Sequence, residues 1–197
     1  MPFTELIFPS VKPDKASIAE IESNWPRFAK QLTVPNPGLI CAFRGWITFE
    51  DGQDVRDDFK EFLLFEWNKK ESFDLFVGSE QFKTFQGMIR HLLNGPPMLQ
   101  LYETNVSPHD AAAASRVEIV RVTLEKEGDA VREVMEKMEE GGVGVYGQTI
   151  NLEEEKVVVG ILEDEETADK ISSSLGEYGR VSRLVVDISP MPFGDEL

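Results

Sequence analysis

Few side chains here pair a chemically useful type with a sheltered setting. Trp67 ends a short aromatic run, and Phe73, Phe76 and Phe82 follow it at helical spacing. Together they could line an apolar pocket, or serve as core aromatics with the indole nitrogen finding one partner. Arg44 and Trp46 share the face of a long strand opposite Cys41. If that face looks into a pocket, Arg44 could hold an acidic or phenolate ligand through charge-assisted hydrogen bonds. Otherwise it is an edge arginine paired with one of many carboxylates. His91 sits near a helix C-terminus, where the dipole favours its charged form. It could act as a base or ligand, or simply face solvent. Tyr102 and Tyr146 are further polar pocket groups, or core rings with hydroxyls at the rim. The two histidines, His91 and His109, pair with no cysteine or second histidine, so no zinc site is expected. No acid–base pair assembles from spacing alone.

The elements that must position these groups follow from pattern. Phe3 to Pro9 reads as a strand. Pro13-Asp14 opens a helix with Ile18, Ile21, Trp25, Phe28 and Leu32 on one face, and Pro26 predicts a kink or restart within it. Leu39 to Phe49 is a long strand, and Glu61 to Trp67 a short one. Asn68 with Glu71 three positions later predicts a capping box. Gly78 is suited to a left-handed helix end, and Ser79 to capping the next helix. Asn94-Gly95-Pro96-Pro97 stops that helix, and Met98 to Val106 is again extended. The order is β-α-β-β-α-β, a ferredoxin-like unit.

After the small-residue stretch 107–115, read as a linker, the order repeats. Arg116 to Leu124 is a strand, Gly128-Asp129 opens a helix, and Gly142 to Asn151 is a strand. Residues 152–155 turn, Lys156 to Leu162 is a strand, Asp164 caps a helix, and Val181 to Ile188 is the last strand. Gly142, Gly144 and Gly147 fit G-x-G-x-x-G, but this run follows a helix and enters a strand. A dinucleotide fingerprint requires the reverse. Each unit would leave one sheet face bare, and two such faces can cover each other. The expected fold class is therefore α+β: tandem ferredoxin-like repeats, 1–106 and 116–197, forming an intrachain dimeric α+β barrel.

Trp67, Phe73, Phe76, Ser79 and Phe82 together resemble the W…F-x-x-F-x-x-S-x-x-F run of antibiotic-biosynthesis-monooxygenase-like domains, over roughly Phe3 to Val106. The resemblance implies membership of the dimeric α+β barrel superfamily, whose members include cofactor-free quinol monooxygenases, haem-degrading enzymes and small cyclases. In the haem-degrading branch a tryptophan at this place lies over the bound ring. That branch also uses a first-strand asparagine and a histidine on the second helix. Here Thr4 and Glu5 stand on the first strand, and Gln81 to Arg90 holds no histidine. In the second half Glu163 falls near the place of Trp67, with Ala168 and Ile171 where the phenylalanines were, so that half is expected to be structural.

Composition sets further bounds. The chain has 197 residues, 41% hydrophobic, with a net charge of −16. Such a charge repels phosphate backbones and anionic bilayers, so nucleic-acid and membrane partners are not expected. The lone Cys41 suits a reducing compartment. The N-terminus does not read as a secretory signal, and the terminal Gly194-Asp195-Glu196-Leu197 is read as a chance likeness to a retention tail. A cytoplasmic protein is therefore expected. Two functions remain. One is a cofactor-independent monooxygenase or cyclase acting on an aromatic, polyketide-like molecule. The other is a non-catalytic barrel binding a small apolar or aromatic ligand or serving as a scaffold. No cofactor is expected, and self-association beyond the intrachain pseudo-dimer is left open.

Overall fold

The computed structural model describes residues 1–125, 129–152 and 155–191. Chain order is β1 (Phe3–Phe8), α1 (Lys15–Thr33), β2 (Leu39–Glu50), a two-residue β3 (Gln53–Asp54) and β4 (Glu61–Trp67). Then come α2 (Lys70–Val77), α3 (Glu80–Ile89), β5 (Met98–Thr104) and a helical turn, α4 (His109–Ala112). The second half follows as β6 (Arg116–Leu124), α5 (Ala130–Glu140), β7 (Val145–Thr149), β8 (Val157–Leu162), α6 (Glu165–Leu175) and β9 (Gly179–Pro190).

The sheet order β2-β4-β1-β5-β7-β8-β6-β9 closes on itself through β9 pairing with β2, and β3 hangs on β2 as an extra strand. Both halves use the ferredoxin-like strand order, and every pairing is antiparallel. The fold is thus two ferredoxin-like repeats forming an α+β barrel within one chain. Alternation along each strand sends one set of side chains into the barrel and the other toward the helices. Leu6, Phe43, Phe62 and Leu64 meet Val117, Ile119, Val159 and Val186 in a shared interior. Each such buried side chain contributes about 1.5–3 kcal/mol. The outer faces form two separate cores. One, under α1, α2 and α3, is rich in phenylalanine. The other, under α5 and α6, is mostly aliphatic.

Several local expectations shift. α1 runs unbroken through Pro26 rather than restarting. Pro26 is exposed, so water can satisfy the carbonyl its missing N–H leaves free. Asn68 does not cap α2. Lys69 holds that place without a side-chain bond, while Asn68 Oδ1 accepts from Ser72 Oγ at 2.7 Å. Gly78 stays right-handed at φ −79°, and Ser79 caps α3 by accepting from the Phe82 N–H. The stretch 107–115 is not bare chain: Ala111 and Ala112 of α4 pack into the barrel core. The Gly142–Gly147 run, as expected, follows a helix, turns into β7 and opens no helix. The expectations for Gly128, for Glu153 and Glu154, and for the tail 194–197 lie outside the described residues.

The two seams between halves are β2·β9 and β5·β7, and each carries a glycine at a close approach. A Cβ at Gly45 would meet the Asp187 carbonyl oxygen, and one at Gly147 would overlap the Glu103 carbonyl oxygen. Gly45→Val and Gly147→Val should each lower stability by about 1–3 kcal/mol, read by urea unfolding. Gly144→Ala, in the turn before β7 with nothing within 4 Å of its Cβ, is the control and should cost far less. Equal losses at all three would contradict the closed barrel.

Candidate functional site

The helix-facing side of the first sheet is not fully packed. A cavity of about 40 Å³ lies between it and α1, α2 and α3. Its floor is β1, β4 and β5, contributing Glu5, Ile7, Glu61, Leu63, Phe65 and Leu99. α1 supplies Trp25 and Phe28 to the walls, and α2 and α3 supply Phe76, Phe82 and Phe85. A cavity that accepts benzene measures about 150 Å³, so an aromatic ligand enters only if these aromatic side chains swing outward.

Two carboxyls break this apolar lining. Glu5 is 3% exposed, and Trp67 Nε1–H donates to its Oε2 at 2.9 Å. Burial pushes the Glu5 carboxyl up to about 8, against the opposing pull of the Trp67 bond. It is therefore mainly a neutral acid at pH 7. Trp67 is fully buried and held by ring contacts with Phe65, Phe73 and Phe76. Glu61 lies at the other end. Its carboxyl is raised by burial, while Arg44 lowers it. Arg44 Nε donates to Glu61 at 2.6 Å, and its Nη2 to Glu22 of α1 at 2.6 Å. The guanidinium is also clamped 3.8 Å from the Trp25 ring centre and 5.0 Å from that of Trp46. Glu5 stands opposite Phe65, four residues from Glu61. At about 3.3 Å per residue, roughly 13 Å of strand separates the two carboxyls, too far to share a proton.

Among the residues singled out from sequence, Phe76 and Phe82 line the cavity and Trp67 and Phe73 stand behind it, bracing Glu5. Arg44 is on the helix side but already spoken for. Trp46 lines a separate outer cleft with Glu22, Arg56 and Phe59. His91 is exposed and bonds Glu20 at 2.7 Å. Tyr102 points into the barrel, where its hydroxyl donates to Gln100 at 2.7 Å. Tyr102 stands directly opposite Thr4, so it shares the barrel-facing side and cannot reach the face that Glu5 and Trp67 occupy, because the pleat alternates. Glu5 and Glu61 were missed as pocket groups, though parity alone sets Glu61 with Leu63, Phe65 and Trp67.

No family model matches the sequence, and no curated protein matches it either. Solved structures do match. An anthrone oxidase-like protein covers 100% of this chain and 95% of its own, at 10% identity and TM-score 0.62. A candidate monooxygenase from Lactobacillus acidophilus NCFM covers 98% and 97%, at 12% identity and TM-score 0.56. Another, from Fusobacterium nucleatum, covers 98% and 95%, at 10% identity and TM-score 0.57. This chain has the dimeric α+β barrel fold. At these identities the likeness concerns the fold alone.

The barrel's second half offers an internal comparison. Trp67 and Leu162 each end a helix-facing strand three residues before a helix. Phe3 pairs with Trp67 as Glu118 pairs with Leu162. Leu162, not Glu163, therefore holds the place of Trp67, and Val120 holds that of Glu5. Gly160 replaces Phe65, and Met138 packs over it. That half is filled with aliphatic side chains and keeps no buried carboxyl at the matching place.

Burial of Glu5 makes stability depend on pH. The folded carboxyl keeps its proton up to about pH 8, whereas the unfolded one loses it near 4.5. Its favourable contribution is full below about 4.5 and declines as pH rises toward 8. Glu5→Gln should therefore gain on the wild type across this window, by at most about 3–5 kcal/mol, and hold level above it. Urea midpoints from pH 5 to 9 measure this, and parallel curves would refute it.

Proposed function

We propose that this protein is a cofactor-independent oxygenase for an aromatic small molecule bearing an acidic C–H or O–H, of the anthrone or hydroquinone kind. Glu5 is its general base. The observation carrying this reading is an ionisable carboxyl, oriented by an indole N–H, in a cavity whose lining is apolar apart from Glu61 at its far end. A base is most effective when its pKa lies near the working pH, and a carboxyl raised to about 8 has far more driving force than an exposed one. The fold shared with an anthrone oxidase-like protein supports the substrate class.

In this scheme the aromatic walls hold the ring against Glu5, and proximity contributes much of the rate. Ionised Glu5 takes the substrate proton. Electrons of the resulting carbanion or phenolate pass to dioxygen, the oxidant. At an anthrone-type methylene, two hydrogens leave, one oxygen atom enters as the ketone, and the second departs as water. Trp67 acts as a positioning residue: its N–H fixes Oε2 and favours the charged form.

A second reading is a non-catalytic binder of the same ligands, favoured by the small volume of the closed cavity. Oxygen-electrode assays on an anthrone and hydroquinone panel separate the two. The oxygenase should show uptake that rises with pH to a plateau above an apparent pKa near 8. Glu5→Gln should lose at least about a hundredfold. Trp67→Phe should move the rising limb to higher pH, because the bond that lowers the Glu5 pKa is gone. No uptake across the panel, or full activity in Glu5→Gln, would leave the binder.

A further inference from the structure

The cavity has a neighbour on the outside of the molecule. A groove of about 660 Å³ runs along α3 and the segment leading to Pro97. Phe82, Phe85, Ile89, Leu93 and Pro97 line both spaces, so they form a single wall with the cavity behind and the groove in front. Of the wall aromatics whose outward movement would admit a ring, Phe82 and Phe85 face the groove, and their movement would join the two spaces.

The groove's charge is unlike that of the rest of the surface. The protein carries −16 overall, yet no carboxylate lines this groove, while Lys83 and Arg90 do. Lys83 is paired with Glu80 at 2.6 Å. Arg90 is exposed and makes no ion pair among the described residues. Gly87 and Gly95 open the groove: no heavy atom lies within 4 Å of where a Cβ would stand on either.

We infer that the groove receives an acidic arm of the same substrate whose ring lies beside Glu5, and that Arg90 pairs with the anion at the arm's end. The ligand class is then an aromatic compound extended by a carboxylate or a similar anion. This deepens the oxygenase reading and rests on it for the placement of the ring. The two fail separately, because the arm is read by binding and the base by oxygen uptake.

Two fluorescent probes sharing one aromatic frame test it: 1-anilinonaphthalene-8-sulfonate and the uncharged N-phenyl-1-naphthylamine. For an exposed pair, Arg90→Ala should weaken the sulfonate roughly three- to fivefold and leave the neutral probe unchanged. Arg90→Glu should weaken the sulfonate further. Gly87→Trp fills the groove without touching the core, so it should weaken both. Arg132→Ala on α5 should change neither, and Glu5→Gln should keep the preference for the sulfonate. The inference is overturned by equal or absent effects of Arg90→Ala on the two probes. It is also overturned if wild type binds neither probe, if Gly87→Trp has no effect, or if the groove proves to be buried by a second copy that Gly87→Trp dissociates.

Discussion

A four-stranded antiparallel sheet with helices on one side has an apolar face left over, and this molecule is arranged to cover it. Each repeat covers the other, and the last strand of one extends the sheet of its neighbour. The β2·β9 seam runs from Phe43 against Pro190 to Glu50 against Leu184, with one bulge. The β5·β7 seam is shorter but is reinforced by Asn105 and Asn151, whose side chains bond backbone groups across it. Closure removes the strand edges that would otherwise invite pairing with other chains. It also requires close backbone contact, which is why glycines stand where the seams are tightest.

Both halves line one barrel interior, whereas each has its own outer, helix-covered face, where they are free to differ. They do. Under α5 and α6 the sheet offers Val120, Val122 and Val158, and the helices answer with Val134, Met138 and Leu175, a dry aliphatic layer. Under α1 to α3 the matching positions hold Glu5, Ile7 and Leu63, so Val120 alone of the three gives way to a carboxyl, and the helices answer with aromatic rings. Large flat rings pack with gaps that branched aliphatic chains would fill, and the cavity lies among them. Beyond its Glu61 end, Arg44 is fixed by Glu61, Glu22 and two tryptophans. Losing Arg44 would leave the buried Glu61 carboxyl without its cation, which is costly.

The architecture was legible because it rests on periodicity. Two rounds of strand, helix, strand, strand, helix and strand can be read from Phe3 to Ile188, and the bare sheet faces then dictate closure. Trp67, Phe76 and Phe82 were legible as a group because they share helical and strand spacing with other apolar residues. The rest was hidden for physical reasons. Whether Tyr102 faces the barrel or the helices turns on a single step of the pleat, and a one-residue difference in register reverses it. The same step moves the counterpart of Trp67 from Glu163 to Leu162. Glu5 was hidden by its type. A glutamate in a strand is ordinarily assigned to solvent, and only the three-dimensional packing of Trp67, backed by Phe73 and Phe76 of α2, shows that solvent does not reach it.

That burial needs a reason, and the two halves supply the comparison. They belong to one chain, share the same fold and meet the same solvent, yet one holds Glu5 where the other holds Val120. The valine is the less demanding choice: it satisfies the helix-facing layer with no ionisable group to desolvate. The glutamate leaves the first half less stable at every pH where a free carboxyl would be charged. Nor does Glu5 serve a neighbouring charge, since its one hydrogen-bond partner among the described residues is the neutral Trp67. A structural role for Trp67 would need only some acceptor, and the more cheaply buried Gln or Asn would do. A buried titrating group kept at a cavity wall, without an ion-pair partner, is what departs from good packing at sites that handle protons. The shared barrel core supplies the stability against which that departure is tolerated.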